Sequence, residues 1–371
     1  MDDTDHNLLS RLIEAGADAL DLTPTQYERA VGHYEAVGEY LAESGPLERF
    51  SPVVFAQGSI AIGTATKPVG RDEFDLDSMC QMRIRSDADP SVVKRIIGDR
   101  LKDHQTYCGM LREKNRCWRL VYAGEFHMDI IPGIPDPQRT NGTALLVPDR
   151  DLQCWKETDP KGYTEWFLNR AQITTVLKEA MRAEVEPAPP SPDKRRKFAL
   201  QVVVQLLKRH RDLMFAGNPD APISIILTTL AARAYDGSRS PFSALSSVLE
   251  RMPSYIGQSS TGDALVENPV NPDENFADKW GTHPSRERCF YEWLARARQD
   301  LERLRTARLP DMEKALGVWV GERAATGAIK DYGEAIQRLR STGLNVSAAT
   351  GAVASTSPRA ARSPNHTFFG R

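Results

Sequence analysis

The stretch that most restricts what this chain can fold into is AQGSIAIGTATKPVGRDEFDLDSMC, residues 56–80. A Gly-Ser pair and a run of small residues lead into Phe74-Asp75-Leu76-Asp77, where strand-like alternation sends both carboxylates out on one side. Roughly 6.6 Å of backbone rise separates them. Without a cation such neighbours repel, by about 1 to 4 kcal/mol at 4 Å depending on local dielectric. A hard divalent ion with oxygen ligands reverses that sign, and two such ions about 3.5 to 4 Å apart suit phosphoryl or nucleotidyl transfer. A third acid is wanted from an adjacent strand. The run EFHMDIIPG supplies Asp129, its alternation placing Phe126, Met128 and Ile130 on one face and His127, Asp129 and Ile131 on the other. Asp75, Asp77 and Asp129 are therefore the candidate catalytic residues and metal ligands, for two magnesium ions, or manganese in their place.

Upstream of the acids, Gln57, Gly58 and Ser59 close the strand-like PVVFAQ. Glycine lets backbone N–H groups approach phosphate oxygens, and the serine hydroxyl adds a donor, so the turn reads as a phosphate seat. No GK[ST] follows, so it is not a Walker loop. Taken singly, an Asp-x-Asp is most often a solvated loop or cap and a Gly-Ser only a turn. Their order along the chain gives them weight.

Around this stretch the chain alternates short strands and helices. Apolar spacing predicts two helices between residues 7 and 43, with Thr23-Pro24 starting the second, strands at 53–57, 73–82, 117–121 and 125–131, and a helix over 91–105. The segment AEVEPAPPSP, residues 183–192, cannot sustain a helix and marks a boundary. Helices are expected beyond it over 193–214, 223–234, 284–305 and 312–339. The final thirty or so residues are small and polar and are expected to be disordered. With 48 basic against 50 acidic residues the net charge is −2, which excludes a global field for nucleic acid or membrane. The five cysteines form no close ligand pair, which argues against a zinc site or disulfide framework. The N-terminus lacks a signal-peptide pattern and no long apolar run occurs, so a cytoplasmic protein with no membrane partner is expected.

The motifs, in this order, resemble the polymerase-β nucleotidyltransferase superfamily, and within it the bacterial cGAS/DncV-like nucleotidyltransferases. QGSIAIGTATKP followed by DEFDLDSM is similar to their Gly-Ser and acidic motifs, and FHMDIIPG to the segment bearing their third acid. FALQVVVQLLKRHRD and APISIILTTLAARAY resemble the helical lobe in which Lys208 and Ser224 would hold a nucleoside triphosphate. VENPVNPDENFADKW resembles a segment bordering the nucleotide pocket and adds Asn268. From the residues alone, Lys208, Arg209 and Arg211 read equally well as the solvated face of a helix, and Trp280 and Phe276 as packed aromatics. The basic run 194–197 reads as a helix exposing charge.

The resemblance implies an α+β fold, a mixed-sheet nucleotidyltransferase core over residues 1–190 and a helical nucleotide-binding lobe over 191–342, with a cleft between them and a tail over 343–371. It implies an enzyme that joins nucleoside triphosphates into a cyclic di- or trinucleotide with release of pyrophosphate, a signal in anti-phage defence. ATP is the first substrate expected, with GTP or a pyrimidine nucleotide as alternatives and no nucleic acid required. Two rivals stay open: a transferase that modifies RNA, protein or a small molecule, and a docking protein acting through its C-terminal tail. A regulatory protein engaging that tail is compatible with either.

Overall fold

The computed structural model describes residues 3–43, 45–70, 73–151, 153–171, 186, 188–191, 197–341, 345–346 and 353–354. Helices α1 (Asp3–Asp18) and α2 (Pro24–Ala42) fall where the apolar spacing predicts them. Thr23 starts α2 with a reciprocal cap: its hydroxyl accepts from the Gln26 N–H, and the Gln26 side chain accepts from the Thr23 N–H. Strand β1 (Val53–Gln57) runs directly into a four-residue helix, α3 (Gly58–Ala61), so the Gly-Ser pair opens a helical turn. Then come β2 (Phe74–Gln81), α4 (Pro90–Lys102), α5 (Tyr107–Met110), β3 (Leu111–Glu113), β4 (Trp118–Tyr122), β5 (Phe126–Pro135), β6 (Leu145–Asp149), β7 (Cys154–Thr158) and α6 (Pro160–Arg170).

The strands form one mixed sheet in the order β1-β2-β5-β4-β3, with β6 paired to the C-terminal end of β5 and β7 beyond it. β2 and β5 run parallel, whereas β1 with β2 and β4 with β5 are antiparallel. One face of the sheet is covered by α2 and α4, whose Tyr34, Val37, Leu41, Val93, Ile97 and Leu101 pack on Leu76, Leu120, Met128 and Ile130. Each fully buried aliphatic side chain contributes about 1.5 to 3 kcal/mol, so a one-residue slip that exposed this set is strongly disfavoured. That register leaves Asp75, Asp77 and Asp129 on the opposite face.

The second half is helical: α7 (Ala199–Met214), α8 (Ser224–Ala234), α9 (Pro241–Arg251), two small ladders β8 (Gly257–Gln258) with β9 (Ala264–Leu265) and β10 (Glu267–Asn268) with β11 (Asn271–Asn275), then α10 (Pro284–Thr306), α11 (Leu309–Val320) and α12 (Glu322–Ser341). The single helix expected over 312–339 is two, broken where Gly321 takes φ 91°. Of the expected disordered tail, only β12 (Asn345–Val346) and β13 (Val353–Ala354), paired antiparallel, are described; the remainder lies outside the described residues.

Packing does not follow the linear division at residue 190. Leu9, Leu12, Ile13 and Ala17 of α1, with Phe167 of α6, are buried in the helical cluster beside Val203, Leu207, Leu245 and Trp319. An amphipathic helix announces that one face must be covered but not by what. The described part of the boundary segment is fastened to the sheet half: Tyr34 Oη donates to the Glu186 carbonyl at 2.8 Å and the Glu186 N–H donates to the Val54 carbonyl at 2.9 Å. Among the described residues, no helix is long and apolar enough to cross a membrane.

Candidate active site

Gln57, Asp77, Asp129 and Arg119 form one row across β1, β2, β5 and β4, because each is the register partner of the next. Asp75 stands one pleat along β2, opposite His127. Directly paired residues share a face, so the sheet itself gathers the three acids. Burial, then the charges of Asp129 and Asp75, push the Asp77 carboxyl up to about 7. Gly58 abuts it: a Cβ at that position would sit 2.6 Å from Asp77 Oδ2.

Asp129 is gripped by the guanidinium of Arg119, with Nε 2.6 Å from Oδ1 and Nη2 2.8 Å from Oδ2, and the same Nη2 lies 3.3 Å from Asp75 Oδ1. This two-pronged pair is the strong form of a charge-assisted hydrogen bond, and with Asp129 as its main cause it raises the Arg119 pKa. His127 links two carboxylates, its Nε2 2.5 Å from Glu73 Oε2 and its Nδ1 3.6 Å from Asp75 Oδ1. Glu73 in turn accepts from the Gly124 N–H at 2.6 Å. Among the described residues no three acid, histidine or cysteine side chains are disposed to enclose a metal, consistent with Asp129 being turned to Arg119. The donor set still fits a hard divalent cation. It offers only carboxylate oxygens, and burial first, then the like charges of Asp129 and Asp75, raise the Asp77 carboxyl so that a positive charge beside it is favoured.

The row faces a cleft of about 1890 Å³, roughly twice the upper end of pockets that take one small ligand. Gln57, Gly58, Ser59, Asp75, Asp77, Asp129, Lys208, Ser224 and Asn268 all line it. Lys208 is buried, and its Nζ donates to the Thr64 carbonyl at 2.9 Å. Burial first, then Arg211, lower its pKa to about 8. Ser224 opens α8 and its hydroxyl accepts from Arg211 Nη2 at 3.1 Å. Asn268 is engaged within its own hairpin: Nδ2 donates to Glu274 Oε2 at 2.8 Å, and Oδ1 accepts from the Val270 N–H at 3.1 Å. Trp280 is packed against Phe290, while Phe276 is half-buried beside Tyr163.

Residues 14–170 match the Second Messenger Oligonucleotide or Dinucleotide Synthetase domain. A c-di-GMP synthase of Roseivirga ehrenbergii is 32% identical over 343 residues, covering 89% of each chain. The chain belongs to the bacterial cGAS/DncV-like nucleotidyltransferases. The cyclic dinucleotide synthase CdnG of Bradyrhizobium diazoefficiens is 29% identical over 391 aligned positions, covering 95% of this chain and 92% of the relative. In fold, this nucleotidyltransferase resembles the structure of that CdnG in complex with GTP, with a TM-score of 0.69 at 24% identity over 87% of this chain and 98% of the other. It also resembles Escherichia coli DncV in a 3′-deoxy GTP bound form, with a TM-score of 0.56 at 16% identity over 87% and 89% of the two chains.

Two further charged groups, Arg119 and Arg211, line the cleft. Arg119 was legible in principle, since Arg119 and Asp129 are equidistant from Gly124, the turn between β4 and β5. Arg211 stands in the basic run with Lys208 and Arg209, where the residues alone fit a solvated face equally well. Lys197, expected in an exposed basic run, is instead enclosed, its Nζ 2.9 Å from both Asp18 Oδ1 and Asp21 Oδ2; residues 194–196 lie outside the described residues. Because Arg119 is the cation nearest the acids, Arg119→Met is expected to lower the melting temperature without divalent ions and to enlarge the gain on adding magnesium or manganese. Equal gains for variant and parent, measured by scanning fluorimetry, would show that Arg119 does not offset the carboxylate charge.

Proposed function

We propose that this nucleotidyltransferase joins two nucleoside triphosphates, guanosine triphosphate first among them, into a cyclic dinucleotide with release of pyrophosphate. The observation that carries the reading is the row in which Asp77 and Asp129 are direct register partners, with Asp75 beside them, at the wall of a cleft roomy enough for two nucleotides. Gln57, Gly58 and Ser59 on one wall and Lys208 and Ser224 on the other are proposed to hold the donor phosphates. Arg211, which already contacts Ser224, is a further cation for the same purpose. The acceptor hydroxyl would lie beside Asp129, where Arg119 sets the carboxylate's orientation. Asp75, Asp77 and Asp129 would hold two divalent ions, magnesium or manganese, and when bound these lower the pKa of an acceptor hydroxyl and neutralise a departing pyrophosphate.

Base preference is where relatives move the expectation. Resemblance alone points to adenine, but the Roseivirga relative is a c-di-GMP synthase, which favours guanine here. The signal is proposed to serve anti-phage defence. A regulatory partner at the tail also remains a proposal, in keeping with the CdnC:HORMA complex of an Escherichia coli relative in fold.

Incubating the purified chain with magnesium and each triphosphate singly, then all four together, tests the reading. GTP alone is expected to give pyrophosphate and a phosphatase-resistant product with the mass of cyclic di-GMP. Product from ATP alone restores adenine. Absence of pyrophosphate from every mixture in which no acceptor is added overturns the synthase.

A further inference from the structure

From its residues alone the charged face of α7 fits solvent as well as a site, and the structure buries Ala199 through His210. Its polar side chains meet a loop. Gln201 Nε2 donates to the Ile62 carbonyl at 2.9 Å, Lys208 Nζ to the Thr64 carbonyl at 2.9 Å, Gln205 Nε2 to the Ala65 carbonyl at 2.8 Å, and Arg209 to the Lys67 carbonyl. Positions spaced by four, three and one fall on one side of a helix, so a single face presents four donors to the carbonyls of residues 62–67. The Lys67 N–H in turn donates to the Leu20 carbonyl at 2.7 Å. The loop is tied to the candidate phosphate seat because the Thr64 N–H donates to the Ser59 carbonyl at 2.8 Å.

We propose that Gln201 and Gln205 are positioning residues for the phosphate-binding end of the cleft, holding the 62–67 loop in register with Ser59 while Lys208 is free to change partners. Lys208 is the one donor in this face that nucleotide phosphates would compete for. When it leaves the Thr64 carbonyl, the glutamines still hold Ile62 and Ala65 on either side. Both amides are fully committed. Gln201 Oε1 accepts from the Phe198 N–H at 3.0 Å, and Gln205 Oε1 accepts from Lys197 Nζ at 3.1 Å, so each ties the entrance of α7 to the loop. With 2% and 1% of their surface exposed, neither has water to replace a lost partner. The geometry of Ser59 is thus set by a helix from the other half of the chain.

The inference rests on the proposed nucleotide chemistry, so its test has an arm independent of turnover. Gln201→Met and Gln205→Met keep side-chain length and remove the donor. Each is expected to raise the KM for triphosphate about tenfold with kcat within about twofold, since a buried carbonyl left unpaired loosens the seat. Without nucleotide, the amides of Thr64 and Lys67 should exchange with deuterium about tenfold faster than in the parent chain. Unchanged exchange at both amides overturns the proposal, as does a loss of kcat that tracks the folded fraction at constant KM. Should the parent release no pyrophosphate at all, the function proposed above fails, and exchange alone decides the clamp. Gln201→Met carries the test if Gln205→Met does not fold.

Discussion

Asp77→Asn is expected to lower pyrophosphate release by about three orders of magnitude and at the same time to stabilise the chain in the absence of divalent ions. The two effects share a cause. Folding buries the Asp77 carboxyl between two like charges and moves it from 3.8 to about 7. Between those values the folded chain binds more protons than the unfolded one, so stability falls as pH rises, and above about 7 the whole penalty applies. Asparagine keeps the shape and carries no charge. Its advantage in melting temperature, measured in a chelator, should therefore widen from about pH 5.5 to about pH 8 and reach a few degrees, about 1 to 2 kcal/mol. Added magnesium should reverse the order, because only the parent gains a ligand. An Asp77→Asn chain that melts below the parent at about pH 8 in chelator would show the carboxylate to be satisfied by the fold itself, removing the case for a cation.

Only the local part of this acidic row is legible in the order of the residues. Strand alternation is a local rule, so Asp75 and Asp77 on one face and Asp129 on the matching face of its own strand followed from residue order alone. Which strands become neighbours is not local. The parallel pairing of β2 with β5, which sets Asp77 beside Asp129, has α4, α5, β3 and β4 intervening along the chain. Motif order, through family resemblance, supplied what spacing did not. Short strands without long apolar runs, such as β3 with its single buried residue Leu111 and β7 with none, gave no signal of their own.

Helix α7 shows the opposite limit. Lys208 and Arg209 were as consistent with a solvated face as with a site, because periodicity says only that a polar face exists. The structure buries that face against backbone carbonyls that have no strand or helix partner. Loop carbonyls that lack a ladder partner leave no mark in composition, so their donors on a remote helix are invisible until both are placed. The same holds for α1, whose apolar stripe was evident but whose partner, the helical cluster, was not.

Gly58→Ala is expected to cut turnover about a hundredfold while destabilising the chain, which separates it from Asp77→Asn. Gly58 takes φ 63°, where an alanine costs about 1 to 2 kcal/mol. Its new methyl would also stand 2.6 Å from Asp77 Oδ2, closer than side chains tolerate, so the carboxylate must leave its place in the row beside Asp129. A serine or valine adds bulk in the same direction and should do worse. The decisive measurement is a double-mutant cycle. If Gly58 acts by fixing the Asp77 carboxylate, adding Gly58→Ala to Asp77→Asn should cost far less activity than it costs in the parent, because the group it displaces is already lost. Full additivity would instead place the effect of Gly58 on the neighbouring Ser59, making the glycine part of the phosphate seat alone. A melting temperature lowered by a few degrees in both backgrounds would then report only the backbone strain.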